Sequence, residues 1–174
     1  MLKKIVIIGP ESTGKSSLCQ ALSAHFNCYN CPEYARKYLN ENGTQYEYTD
    51  LEKIAKGQLE LEDHFTALSH NKPFLFIDTD MYVMRVWYEF VFGRLPPFIL
   101  NEIGHRQYDL YLLCKPDLPW TYDNMREYPD EKTRVLLFEK YHALMQSQHT
   151  PFYVIDGIGN KRTEHAIERI YSLL

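Results

Sequence analysis

Short apolar segments alternate with longer segments of mixed character along this chain. The apolar segments are rich in β-branched and aromatic residues and are bounded by polar or proline-containing turns, as buried strands are. We predict strands at residues 5–8, 28–31, 74–77, 108–114 and 151–155. Strands that alternate with helices predict an α/β fold, in which a five-stranded parallel sheet has helices on both faces and right-handed crossovers.

Between the strands, apolar residues recur at helical spacing. The longest predicted helix opens at a Thr49–Glu52 capping box and ends before Asn71-Lys72-Pro73. Its apolar face consists of Leu51, Ile54, Ala55, Leu61, Phe65 and Leu68. The other helices are predicted at residues 14–26, from about 33 onward, 82–91, 98–104, 131–147 and 163–173.

The segment after the first strand has the spacing of a phosphate-binding loop. Two glycines with four residues between them are followed by a lysine and a hydroxyl residue, and a helix begins there. Backbone N–H groups and the helix N-terminus can surround an anion in such a unit. We expect Lys15 to reach the β- and γ-phosphates of ATP and Ser16 to bind Mg²⁺. The predicted nucleotide-binding residues are Gly9, Glu11, Ser12, Thr13, Gly14, Lys15, Ser16 and Ser17.

Acidic residues follow two further strands at the same predicted edge of the sheet, where ligands bind in such folds. Asp78 could bind Mg²⁺ or accept a proton from an attacking hydroxyl, or it could cap the next helix. Asp80 could bind a metal or a ribose diol, with capping as an equal alternative. Glu33 could bind or deprotonate a substrate hydroxyl, and Arg36 could hold a phosphoryl or sugar oxygen. Both could instead lie in a solvated first turn of helix. Whether Asp78 or Glu33 is the base stays open.

Residues 115–131 are predicted to form a lid over this site. The segment is rich in proline and carries an aromatic residue and an arginine. Trp120 offers a flat face for a heteroaromatic base, a cationic one especially, and the alternative is an anchor in the core. Arg126 in the lid and Arg134 on the next helix could stabilise the charge that phosphoryl transfer spreads over oxygens. Closure of the lid would exclude water.

Composition narrows the class of protein. A chain of 174 residues suits one domain over residues 1–174, and a net charge of -4 argues against general nucleic-acid binding. No apolar run approaches the roughly 20 residues that span a bilayer, and Met1–Lys4 does not begin a signal peptide. We therefore predict a cytoplasmic protein that acts on a small molecule and binds neither membrane nor nucleic acid. Cys28 and Cys31 form a lone C-x-x-C pair, which we expect to be reduced.

Taken together, these motifs resemble the ribosylnicotinamide kinase domain of bacterial NAD-biosynthesis regulators, a P-loop kinase related to nucleoside monophosphate kinases. The resemblance covers essentially the whole chain. It rests on residues 9–16, Glu33-Tyr34 with Arg36, residues 76–80, and Trp120 with Asp123, Arg126 and Arg134. The family's lid usually reads Trp-x-Asp-Asp-Gly-x-Arg, and here Tyr122 replaces its first Asp and Asn124 replaces its Gly.

The resemblance implies a three-layer P-loop fold that transfers the γ-phosphoryl group of ATP to the 5′-hydroxyl of nicotinamide riboside, with Mg²⁺. It implies that Asp78 is the base or the metal acid. The residues implied to hold the riboside are Glu33, Tyr34, Arg36 and Asp80, and those implied to close over the nicotinamide are Trp120 and Asp123. Those implied to cover the phosphates are Arg126 and Arg134. The loop 157–162, with Asn160 and Arg162, is implied to border the adenine.

Two other functions are compatible with the same motifs. The chain could be a kinase for another nucleoside or small hydroxyl compound, or a regulatory P-loop ATPase or nucleotide-binding module. A GTPase should carry Asn-Lys-x-Asp for guanine, which Asn71-Lys72-Pro73-Phe74 does not match. The acid pair and the arginine-bearing lid favour a kinase over a nucleotide switch, since phosphorylation of a hydroxyl group needs an acceptor pocket and a closing cover.

Overall fold

The computed structural model describes residues 1–172 and has the predicted alternation of strands and helices. The strands are β1 (Lys3–Ile8), β2 (Tyr29–Cys31), β3 (Phe74–Asp78), β4 (Leu110–Cys114) and β5 (Phe152–Ile155). The helices are α1 (Lys15–His25), α2 (Tyr34–Asn42), α3 (Tyr48–Leu68), α4 (Met81–Trp87), α5 (Pro97–His105), α6 (Glu131–Gln146) and α7 (Asn160–Tyr171). A π-helical turn, Tyr88–Phe92, continues α4.

The five strands form one sheet in the order β2-β3-β1-β4-β5, and every neighbouring pair is parallel. Ile5 at the centre lies opposite Phe76 of β3 and Leu110 of β4. The predicted fold class is therefore confirmed. Because β1 is central and lies between β3 and β4, the phosphate loop that follows β1 lies beside Asp78 at the end of β3.

Two apolar layers cover the sheet. On one face, alternate residues of β1, β3 and β4 pack against α1 and α7 in a cluster that includes Leu18, Leu22 and Ile170. On the other face, the remaining strand residues pack against α4 and α6 through Val86, Tyr141 and others. A third cluster joins α2, α3, α4 and α5. Strands buried on both faces explain why the sequence shows continuous apolar runs instead of alternation.

The structure corrects three local predictions. Helix α3 begins at Tyr48, and its capping box joins Glu47 and Asp50 instead of Thr49 and Glu52. Leu68, predicted on the apolar face of this helix, is exposed. Helix α7 begins at Asn160, three residues before its predicted start, and its predicted end at Leu173 lies outside the described residues.

No helix among residues 1–172 combines the length and the apolar character needed to cross a bilayer. The four cysteines are free thiols, of which Cys19, Cys31 and Cys114 are buried.

The contact between α2 and α3 depends on a glycine. A Cβ atom built at Gly57 of α3 would lie 2.1 Å from the Tyr34 ring of α2. The Tyr34 backbone N–H also donates to Gln58 Oε1 at 2.7 Å. The start of α2, which carries Glu33 and Arg36, is thereby fixed against α3.

We expect Gly57→Ala to lower the free energy of unfolding by about 1–3 kcal/mol, because the new methyl group overlaps the Tyr34 ring. The matched control is Gly104→Ala in α5, where nothing lies within 4 Å of the added Cβ. That control should gain up to about 1 kcal/mol from helix propensity. Urea denaturation of both variants measures the difference, and equal effects would show that Tyr34 moves aside at no cost.

Candidate functional site

The phosphate loop has a backbone conformation that favours glycine at two points. Gly9 has φ 138°, and a Cβ there would lie 2.7 Å from the Cys114 carbonyl oxygen of β4. Gly14 has φ 76° and caps the N-terminus of α1. These conformations cost a residue with a side chain much more than they cost glycine. The loop therefore bends tightly against the sheet and leads directly into the positive end of α1.

Within the loop, two polar side chains bind the same carbonyl oxygen. The Thr13 hydroxyl donates to Pro10 O at 2.8 Å, and the Lys15 ammonium donates to Pro10 O at 2.9 Å. The Thr13 contact is buried and braces the turn. The Lys15 contact can be exchanged for a phosphate oxygen, because a lysine ammonium is a compact charge on a flexible stem.

Ser16 and Asp78 meet at the start of α1. The Ser16 hydroxyl donates to Asp78 Oδ2, whereas the buried Oδ1 has no hydrogen-bond partner within residues 1–172. Burial raises the pKa of Asp78 above its ordinary value of 3.8, and Lys15, Ser16 and Arg36 partly oppose that shift. A hydroxyl beside a carboxylate with an unpaired oxygen is the kind of oxygen donor set that fits Mg²⁺.

The charges of Lys15 and Arg36 act on the pKa of Glu33 as they do on that of Asp78. It precedes α2 at the N-cap position, but its side chain makes no capping hydrogen bond. Burial and the charge of Asp78 raise the pKa of Glu33, and Lys15 and Arg36 lower it. Two carboxyl groups with raised proton affinity beside a phosphate loop can bind or deprotonate a hydroxyl group.

Asp80 serves as a helix cap. Its carboxylate accepts from the Tyr82 and Val83 backbone N–H groups at 3.0 and 3.4 Å and from the Tyr111 hydroxyl at 2.8 Å. Burial raises its pKa to about 7. Asp80 was implied to hold the riboside; the structure places it outside the cavity described below, with partners on both carboxylate oxygens. Its capping bonds fix the start of α4.

The lid segment crosses the phosphate loop and is fastened to it. The Glu11 carboxylate accepts from the backbone N–H groups of Glu127 at 2.9 Å and Tyr128 at 2.6 Å. The Ser12 hydroxyl accepts from the Thr121 N–H at 3.1 Å. Backbone groups of segment 115–130 are therefore held to the loop at residues 121, 127 and 128.

The implied lid residues differ in where they lie. Arg126 lines the cavity and donates to the Thr121 carbonyl oxygen. Asp123 is not among the lining residues, and its carboxylate accepts a hydrogen bond from the cavity-lining Arg36 at 3.0 Å. Arg134 is buried under the lid and donates to the Leu118 carbonyl oxygen at 3.0 Å, so it supports the lid from below. Trp120 is not among the residues that line the cavity.

The residues implied to border the adenine, Asn160 and Arg162, both lie outside the cavity described below. Asn160 and Arg162 lie in the first turn of α7, not in a loop. The Arg162 guanidinium is buried and binds the Asp117 carboxylate together with the carbonyl oxygens of Ile155 and Gly157. These contacts join β5, the start of the lid and α7, and they leave Arg162 engaged away from the cavity.

A cavity of about 210 Å³ lies against the phosphate loop. The loop, Glu33, Arg36 and Arg126 form its polar side. The apolar side of the cavity was not predicted, because the sequence assigned its residues to the core or to no role. These residues are Ala35, Leu39, Val83, Val86, Trp87, Phe90, Val91, Met125, Tyr128, Leu137 and Tyr141. The spacing of Val83, Val86, Trp87 and Phe90 on one helical face was visible in the sequence, but such a stripe equally indicates a core. Tyr34 lies outside this cavity, in a neighbouring shallow groove.

Comparisons with known proteins found a matching family and similar proteins. The family model described as AAA domain matches residues 4–162. Trifunctional NAD biosynthesis/regulator protein NadR of Escherichia coli (strain K12) is 32% identical over 129 residues, which are 72% of this chain and 31% of that protein. The chain thus spans about a third of the length of this curated relative.

Two solved structures share the fold. A crystal structure of NadR protein in complex with NR superposes with a TM-score of 0.83 at 23% identity, covering 98% of this chain and 49% of that one. A crystal structure of NadR protein in complex with NAD and AMP-PNP has a TM-score of 0.76 at the same identity and coverage.

We expect Asp78→Asn to raise the free energy of unfolding of the nucleotide-free protein by on the order of 1 kcal/mol at neutral pH, while turnover is lost. The reason is that burial at the end of β3 disfavours the charged form of this carboxyl group, one oxygen of which has no hydrogen-bond partner within the described residues. Because folding raises this pKa, the gain should vanish below pH 3.8, grow as the pH rises through the folded-state value, and stay constant above it.

Denaturation of Asp78→Asn and wild type across this pH range measures the effect. Asp80→Asn is the matched control, since asparagine also caps helices and the structure places Asp80 outside the cavity. The Asp80→Asn variant should keep a turnover rate within several-fold of the wild-type rate. A loss as deep as that of Asp78→Asn would return Asp80 to the substrate-binding residues.

Proposed function

This chain belongs to the AAA domain family, and from that premise we propose that it is an ATP-dependent kinase that phosphorylates the 5′-hydroxyl of nicotinamide riboside. The observation that carries the proposal is a cavity shared by the phosphate loop and an apolar recess, with Glu33 and Arg126 on its walls. A nucleotide switch has no need of a recess for a second molecule beside its phosphates. A kinase needs one, because its acceptor must lie next to the γ-phosphate.

The similar proteins support this choice of substrates. The curated relative takes part in NAD biosynthesis by its name, and one similar structure contains NR, the usual abbreviation of nicotinamide riboside. Another contains AMP-PNP, an analogue of ATP. We further propose that residues 1–174 act as one cytoplasmic kinase domain with a lid at 115–131.

In the proposed reaction, the residues of the loop hold and orient the phosphates. The loop amides and Lys15 bind the β- and γ-phosphates, and Arg126 stabilises the charge that develops on the transferred group. Ser16 and Asp78 would hold Mg²⁺, which neutralises phosphate charge when bound. Glu33 or Asp78 orients the acceptor hydroxyl and takes up its proton. The lid keeps water away from the γ-phosphate.

The first test is ADP release from Mg-ATP with nicotinamide riboside, common nucleosides, deoxynucleosides or no acceptor. We expect a clear rise with nicotinamide riboside. Faster ADP release only with another nucleoside would support kinase activity but contradict nicotinamide riboside as the substrate. Slow ADP release that no acceptor accelerates would favour a regulatory ATPase. Lys15→Ala should abolish the acceptor-dependent rate, whereas Lys140→Ala on the surface of α6 should not. Retained turnover in Lys15→Ala would contradict the assignment of the loop.

We expect Arg126→Ala to lower kcat by about 100-fold or more and to change the KM for ATP only several-fold, because its charge acts mainly on the transition state. Steady-state kinetics at saturating acceptor measure both constants. Arg169→Ala, which alters a surface arginine of α7, is the control. Equal losses in kcat and in ATP affinity would instead indicate ground-state binding.

A further inference from the structure

The apolar end of the cavity is walled by rings from two separate segments. Trp87 and Phe90 come from α4 and its π-helical continuation, and Tyr128 comes from the lid. The Phe90 and Tyr128 rings meet edge to face, with centroids 5.2 Å apart. A wall of aromatic rings next to a phosphate loop is suited to a flat ring carried by the phosphoryl acceptor.

Trp87 is fixed by a hydrogen bond that uses its one polar atom. Its indole Nε1 donates to the Tyr46 hydroxyl at 2.7 Å, and the two rings meet edge to face with centroids 5.0 Å apart. Since Trp87 has no other donor, its remaining surface can make only apolar and π contacts. The indole is thus held in place before any ligand arrives.

The same Tyr46 hydroxyl donates to Glu127 Oε2 at 3.0 Å. Burial and the Glu127 charge raise the pKa of Tyr46, which keeps the phenol neutral. This bond therefore leaves the negative charge of Glu127 in place. Glu127 also lines the cavity, and its backbone N–H binds Glu11 of the phosphate loop. The Glu127 carboxylate and the Trp87 indole thus lie on one wall of the cavity, and each is hydrogen-bonded to the Tyr46 hydroxyl.

We propose that Trp87 and Glu127 form the subsite for the acceptor's ring, with Tyr46 as the residue that positions both, and that Glu127 selects a cationic heteroaromatic ring. This inference rests on the proposed kinase function and goes on to name the groups that recognise its substrate. A positive ring gains from an indole face and from a nearby carboxylate at once, whereas a neutral ring gains from the indole alone.

Among the acids of the lid, Glu127 is the one placed to supply this charge. At the position where the resembled family has the first acid of its lid motif, this chain has Tyr122, which is 79% exposed. Asp123, the remaining acid of the motif, is paired with Arg36. Glu127 is the acid of the lid that lies on the wall of the cavity.

The test compares two acceptors of the same shape, the cation nicotinamide riboside and its uncharged 1,4-dihydro form. We expect Glu127→Gln to lower kcat/KM by about tenfold for the cation and by less than twofold for the neutral form. Glutamine keeps an oxygen that can accept from Tyr46. Glu139→Gln on the exposed side of α6 is the control and should change neither value. Tyr46→Phe should reduce the preference for the cation in the same direction.

Each outcome of this comparison is decisive. Equal falls for both acceptors, or no fall for either, would overturn the subsite while leaving the kinase intact. If the wild-type protein phosphorylates neither acceptor, the proposed function fails and the subsite fails with it. These two failures are distinguished by the wild-type rates alone.

Fluorescence provides a readout that does not depend on turnover. The chain has two tryptophans, so Trp120→Phe leaves Trp87 as the sole indole and Trp87→Phe leaves Trp120. Nicotinamide riboside should quench the emission of Trp120→Phe with a saturable dependence and leave that of Trp87→Phe nearly unchanged. Saturable quenching in Trp87→Phe but not in Trp120→Phe would place the ring against Trp120 and overturn the proposal.

Discussion

The candidate site depends on the burial of the Asp78 carboxyl group, which makes its charged form unfavourable. The residue ends a strand near the centre of the sheet, is 2% exposed and has one oxygen without a partner within the described residues. The Ser16 hydroxyl and the Lys15 charge offset only part of this cost. An arrangement of this kind is less stable than a neutral one and binds cations more strongly. In the proposed function, this unfavourable charge would favour binding of a metal–nucleotide complex.

The other acids of the site show how position along a strand decides the role of a carboxylate. Asp78 and Asp80 are two residues apart. Asp78 binds Ser16 of the phosphate loop, whereas Asp80 accepts hydrogen bonds from the N-terminus of α4 and from Tyr111. Asp80 contributes indirectly, since α4 carries Val83, Val86 and Trp87 to the cavity. A cap that holds the start of a helix thereby holds one wall of the pocket.

The sheet and the phosphate loop could be predicted from the sequence because both are encoded locally. Apolar runs specify strands buried on both faces, and Gly9 and Gly14 specify the loop. The aromatic wall of the cavity could not be predicted, since Trp87 and Phe90 have the same spacing whether they face a core or a cavity. Trp120 has the more suggestive neighbours in sequence, but whether it reaches the cavity depends on how the lid folds. The roles of Arg162 and Asp80 likewise depend on partners up to 47 residues away along the chain.

The contact between the phosphate loop and the lid has a consequence for how such a protein can diversify. Glu11 binds the lid through main-chain amides, which every residue except proline provides. The side chains at 127 and 128 can therefore change without loss of this attachment. In residues 127 and 128, the backbone amides attach the lid to the loop, and the side chains are the parts proposed to recognise the acceptor. A descendant of this chain could acquire a new acceptor through substitutions at these positions while its lid kept the same anchor.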